Sequence, residues 1–165
     1  YEYSFMLPDG WCQQPDPPGR PDLAHESEFL ALGVFTPTPD YIPPIVFSVA
    51  VRPAPKTGTV CEWVEWQCQV QGLALQRMEI HHFLFGYGVD AVAMQDSGIG
   101  PMKMRVVGFE DGGRFFLLTG MAPMSMWDTV VATLSLEIVT FELLAPKGAT
   151  TPLLPIPPEA QAEGS

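Results

Sequence analysis

"MKMRVVGFEDGGRFFLLTGMAPMSMW", Met102 to Trp127, is the stretch on which the fold turns. Glu110-Asp111-Gly112-Gly113 separates two apolar runs, and paired glycines supply the positive φ that a tight hairpin turn needs. The spacing predicts two strands, "MKMRVVGF" and "RFFLLTG", joined as a hairpin. Gly120-Met121-Ala122-Pro123 reads as a joint. Ser125 reads as a helix N-cap, with Asp128 three residues on. Trp127, Val130, Val131, Leu134 and Ile138 then fall at helical spacing as one apolar stripe. "IVTFELL" reads as a closing strand.

The same stretch resembles neither a phosphate loop nor a nucleophile site. A phosphate loop needs clustered glycines feeding a helix N-terminus, usually with a lysine. Gly112-Gly113 precedes a strand, and no lysine follows Gly120. Ser125 lacks the Gly-x-Ser-x-Gly elbow.

Upstream, "YEYSFMLPDGW" alternates, so Tyr1, Tyr3, Phe5 and Leu7 share one side of a strand, and Pro8-Asp9-Gly10 ends it. The segment from Cys12 to Asp40 reads as irregular and Pro-rich, with a short apolar piece, "EFLALGVF". "PPIVFSVAVRP" is a second strand bracketed by prolines. Thr59 and Glu62 have the form of a capping box. Val60, Trp63, Trp66 or Gln67, Val70 and Leu73 continue at helical spacing to a stop at Gly72. "LQRMEIHHFLF" and "GVDAVAMQD" are further strands. Strands, a helix, more strands, a helix and a last strand predict an α+β fold, an antiparallel sheet with helices packed on it. One domain is expected over residues 1–145, with a Pro-rich insertion at about 12–40. Residues 146–165 form a Pro-rich extended tail.

The chain has 165 residues, a 47% hydrophobic fraction and a net charge of −11 with only 8 Lys and Arg. Such a charge argues against nucleic acid and anionic membrane surfaces as partners. No window has the roughly eighteen uncharged apolar residues of a membrane-spanning helix, so no direct insertion is expected. The chain starts at Tyr1 rather than Met, which reads as processing or trimming. Cys61 and Cys68 are too far apart on a helix for a disulfide, and zinc-ligand spacing is absent. Plain thiols point toward a reducing compartment such as the bacterial cytoplasm.

Few residues invite a site. His81 and His82 are neighbours in a strand and point to opposite faces, so they do not jointly chelate a metal. His25, beside Glu26 and Glu28, is the one candidate surface metal position. Glu62 with Glu65 reads as a solvated helix face, and Glu110 with Asp111 as turn chemistry. No catalytic residues, metal ligands or cofactor are expected. An enzyme would need His81 or His82 in a cleft beside a carboxylate. The methionines are the binding candidates: Met94, Met102, Met104, Met121, Met124 and Met126 fall close together, and methionine adapts to varied apolar partners.

Taken in order, Pro8-Asp9-Gly10-Trp11, the strand Arg114 to Thr119, Ala122-Pro123, Trp127 and Thr140-Phe141 resemble the PsbP-like superfamily. That superfamily includes DcrB-type bacterial proteins and a Ran-binding nuclear-import factor. The likeness covers residues 1–11 and about 43–144. The Pro-rich insertion and Thr140, where the family has Ser, depart from the pattern. The resemblance implies an α-β-α sandwich and a non-catalytic role: extrinsic subunits or assembly factors of photosystems, chaperone-like adaptors, or small binding partners. The expectation is a binding or accessory protein, adaptor- or chaperone-like, for an apolar helix or peptide. The alternative is an extrinsic subunit or assembly factor of a photosynthetic or other membrane complex, in the thylakoid lumen or periplasm.

Overall fold

The computed structural model describes residues 3–14, 31–37, 45–98 and 100–144. Its elements in chain order are β1 (Tyr3–Ser4), β2 (Cys12–Gln13), β3 (Ala31–Thr36), β4 (Val46–Pro53) and α1 (Val60–Val70). Then follow β5 (Ala74–Phe83), β6 (Gly86–Ser97), β7 (Gly100–Asp111), β8 (Arg114–Pro123), a 3-10 turn (Met124–Met126), α2 (Trp127–Val139) and β9 (Glu142–Leu143). Gly112 and Gly113 have φ of 57° and 77°, so β7 turns directly into β8 and Asp111 faces Arg114 across the hairpin. Seven strands make one antiparallel sheet in the order β2-β3-β4-β8-β7-β6-β5. β1 and β9 pair in a separate two-stranded ribbon.

The two helices sandwich this sheet. α1 lies over β5, β6 and β7, and α2 over β8 on the other face. Because side chains alternate along a strand, Phe115 and Leu117 pack with Trp63, Val64 and Cys68 of α1. Phe116 and Leu118 pack with Trp127, Leu134 and Ile138 of α2. The α2 side is rich in rings: Phe109 stacks on Phe116 at 4.8 Å and on Phe85 at 3.7 Å. Phe5 from the N-terminal segment meets Phe35, Phe47 and Phe141. Thr140 fixes that segment to the end of α2: its Oγ1 accepts from the Met6 N–H at 2.9 Å and donates to the Leu136 carbonyl at 2.7 Å.

Several expectations need correction. Ala31–Thr36, in the segment read as irregular, is a full strand of the sheet, paired with β4 from Ala31↔Val51 to Phe35↔Phe47. Gly120–Pro123 is not a joint but the end of β8, because Met102 and Met104 on β7 still pair with Pro123 and Met121. Ser125 is not the N-cap. It lies in the 3-10 turn, α2 begins at Trp127, and no side chain caps it. "IVTFELL" is not one strand, since Ile138 and Val139 finish α2 and only Glu142–Leu143 pair with β1. Thr59 and Glu62 do form the capping box. The buried residues of α1 are Trp63, Val64, Gln67 and Cys68, whereas Trp66 and Val70 are exposed. Leu7 is also exposed, while Tyr3 and Phe5 pack inward. Tyr1, the His25 position, most of the insertion and the tail lie outside the described residues.

Two buried details give measurable consequences. A Cβ on Gly108 of β7 would come within 2.5 Å of Val64 Cγ2, so glycine lets α1 sit close on the sheet. Gly108→Ala is expected to lower stability by about 1–3 kcal/mol, read from denaturant midpoints with an unchanged slope. Glu137 of α2 is fully buried, and neither carboxyl oxygen has a hydrogen-bond partner. Burial pushes its carboxyl up from 4.5 to about 8. The folded chain therefore holds a proton that the unfolded chain releases, and stability falls as pH rises from about 4.5 to 8. Above that window the loss is complete. Glu137→Gln should remove this component, at most about 1.4 kcal/mol per pH unit, so variant and wild-type stability curves diverge with rising pH.

Candidate functional site

α2 covers only part of its face of the sheet. Beyond it, β5, β6 and the outer half of β7 present a shelf of charged side chains, and the wall of α2 turns that shelf into a cleft of about 630 Å³. The strand register builds it in rows. Glu79 faces Asp90 across β5 and β6, and Arg77 faces Val92, which in turn faces Arg105 on β7. His81 extends the β5 edge, Lys103 lies two residues from Arg105, and Trp127, Val131 and Ser135 of α2 close the side.

The centre of the cleft is one ion pair. Arg105 donates to Asp90 through Nε at 3.0 Å and Nη2 at 2.7 Å, the paired geometry that suits guanidinium and carboxylate. Asp90 is 5% exposed and Arg105 19%, so the pair is largely removed from water. The remaining Nη1 donates to Ser135 Oγ at 2.9 Å, which ties α2 to β7. His81 Nε2 lies 3.0 Å from Glu79 and 3.9 Å from Asp90. Lys103 Nζ sits 5.4 Å from the centre of the Trp127 ring.

His81 is thus beside carboxylates in a cleft, the arrangement named above as favouring an enzyme. Its partners do not complete a catalytic set. Among the described residues its hydrogen-bond and ion-pair contacts are carboxylates alone, and the nearby hydroxyl, Ser135, is bonded to Arg105. His82 points to the other face, against Tyr87. No group of three or more His, Cys, Asp or Glu among the described residues is arranged to hold a metal.

The six methionines do not form one surface. Met102 and Met104 are buried under α1, with Met121 packed beside them. Met126 packs on the α2 side, and Met124 is 47% exposed. Met94 pairs with Lys103, on the opposite side of the sheet from Met102 and Met104, and its Sδ accepts from Gln76 Nε2. A face shared by Met102 and Met104 was legible; that α1 covers it was not. The cleft residues Arg77, Asp90, Lys103, Arg105 and Ser135 carry no motif. The available signal was a charge inside an apolar strand run, as in "GVDAVAM" and "MKMRVV".

The antiparallel sheet with a helix on each face defines an α+β sandwich. In particular, it is the PsbP-like fold. The solution structure of cyanobacterial PsbP (CyanoP) from Synechocystis sp. PCC 6803 matches with TM-score 0.61 at 16% identity, over 86% of each chain. LpqN of Mycobacterium tuberculosis, described as involved in cell envelope biogenesis, matches with TM-score 0.55 at 9% identity, over 87% of this chain and 83% of that one. PA94 of Pseudomonas aeruginosa, of unknown function, matches with TM-score 0.55 at 12% identity, over 72% of this chain and 85% of that one. No protein-family model and no curated protein sequence matches the chain.

Removing Asp90 strands the Arg105 guanidinium in a largely buried setting. Asp90→Ala is expected to cost roughly 3 kcal/mol, while the double variant Asp90→Ala with Arg105→Leu should recover part of it. Equilibrium unfolding of the four members of the cycle measures the coupling.

Proposed function

We propose that the protein is a non-catalytic binding or accessory module whose partner is another protein. The observation that carries this reading is the edge of the sheet at β5, the outermost strand, which has no further strand partner among the described residues. An unpaired edge strand displays backbone N–H and C=O groups ready to pair with another chain. Around it Ile80, Leu84 and Tyr87 are 64%, 67% and 76% exposed, a concentration of large apolar groups on one hairpin. Ile80 and Tyr87 both lie on the side of the sheet that carries α1, beyond that helix.

An extended or apolar segment laid along β5 would gain backbone hydrogen bonds and cover these side chains together. That is how an adaptor- or chaperone-like module would hold a client. The net charge of −11 keeps such an exposed apolar edge soluble and favours a basic or neutral client. The carboxylate-only company of His81 further supports binding over catalysis.

Affinity capture from the native source tests the proposal. The wild-type chain should retain one partner in near-equal amount, and Ile80→Glu with Tyr87→Glu should lose it without a change in melting temperature. Capture of the same partner by both, or of none by either, overturns the edge-strand reading.

A further inference from the structure

We infer that the cleft beside α2 binds a small organic anion, a carboxylate or a phosphate monoester. Three of the chain's 8 cationic side chains, Arg77, Lys103 and Arg105, line this one cleft of an otherwise acidic protein. Its own carboxylates are already engaged. Asp90 accepts two hydrogen bonds from Arg105, and Glu79 is held by His81. Arg77 and Lys103 have no ion pair among the described residues.

The hydrogen-bonding inventory at this end of the cleft is mostly donors, with the Gln76 amide oxygen as a neutral acceptor beside them. Arg77 carries a guanidinium fork and Lys103 three ammonium N–H groups. Ser135 Oγ accepts from Arg105 Nη1, which leaves its own O–H to donate. Two cations and a hydroxyl, against one neutral amide oxygen, fit a ligand group made of acceptor oxygens. The reach is adequate. β5 and β7 are two strand spacings apart, roughly 10 Å, with Arg77 and Arg105 on either side of Val92 and Lys103 beside Met94 in the next row of the same face. The volume, about 630 Å³, exceeds what a bare inorganic ion fills and matches a metabolite-sized molecule. The Glu79 and His81 end then meets hydroxyl or amine donors on the body of the ligand.

This site lies on the opposite face of the sheet from Ile80 and Tyr87, so it stands apart from the edge-strand proposal. Titration of the full-length protein with citrate, with glycerol phosphate and with glycerol, followed by NMR of backbone and indole N–H signals, tests it. Saturable shifts at Lys103, Trp127 and Ser135 are expected with at least one of the two anions, and none with glycerol. Which anion binds separates the carboxylate from the phosphate source. Arg77→Gln with Lys103→Gln should weaken binding at least tenfold. Lys56→Gln with Arg114→Gln, which removes the same charge at described positions outside the cleft lining, should leave it unchanged. Ser135→Ala should weaken binding with Arg77 and Lys103 intact. No saturable shift with either anion at millimolar concentration overturns the inference, as does equal weakening by the two charge-removing pairs.

Discussion

Phe115, Phe116, Leu117 and Leu118 are four successive buried residues, and no two neighbours share a face. That alternation is the constraint on which the rest of the structure depends. The first and third meet α1, the second and fourth meet α2, so one strand anchors both layers of the sandwich. Burial of large apolar side chains is the main favourable term in folding, and here both helices draw on the same strand for it. The glycine pair before β8 fixes its register against β7, and a slip by one residue would exchange the two faces. Gly108 belongs to the same arrangement, because close seating of Val64 holds α1 against the strand that β8 pairs with.

The cleft follows from how unevenly the helices cover the sheet. α1 spans three strands on its side, whereas on the other, among the described residues, α2 sits over β8 and leaves much of β5 and β6 without a helix above it. Side chains in that uncovered region meet water, so the strand positions there are charged where the covered ones are phenylalanine, valine and leucine. The buried edge of this region is satisfied by the Arg105–Asp90 pair, which also reaches Ser135 and so helps to set where α2 ends its coverage. Function, on this reading, is placed where the second layer stops. The cleft lies on one face, and the exposed apolar side chains of the β5–β6 hairpin lie on the other.

Local structure is legible in the sequence where a local rule is strong. The Gly112-Gly113 turn, the Thr59–Glu62 capping box and the stop at Gly72 each depend on a few adjacent residues. Elsewhere a distant partner decides. Ala31–Thr36 becomes a strand because β4 offers its edge. Gly120–Pro123 stays extended because β7 runs long enough to pair with it. Ser125 could cap a helix, yet α2 starts two residues later, after a 3-10 turn. Trp66 fits a helical stripe as well as Gln67 does, but Gln67 is the one turned toward the sheet.

By itself, then, the amino-acid sequence determined the α+β class, the β7–β8 hairpin, both helices in outline and the likeness to the PsbP-like fold. These rest on period, turn chemistry and capping, which act over a handful of residues. Only the tertiary structure decided which apolar residues lie beneath a helix and which face water. It removed Met102 and Met104 from any exposed surface and gathered Arg77, Asp90, Lys103, Arg105 and Ser135 into one cleft. The physical reason is that sheet register and helix placement bring together residues from three strands and a helix, and no spacing along the chain records that meeting.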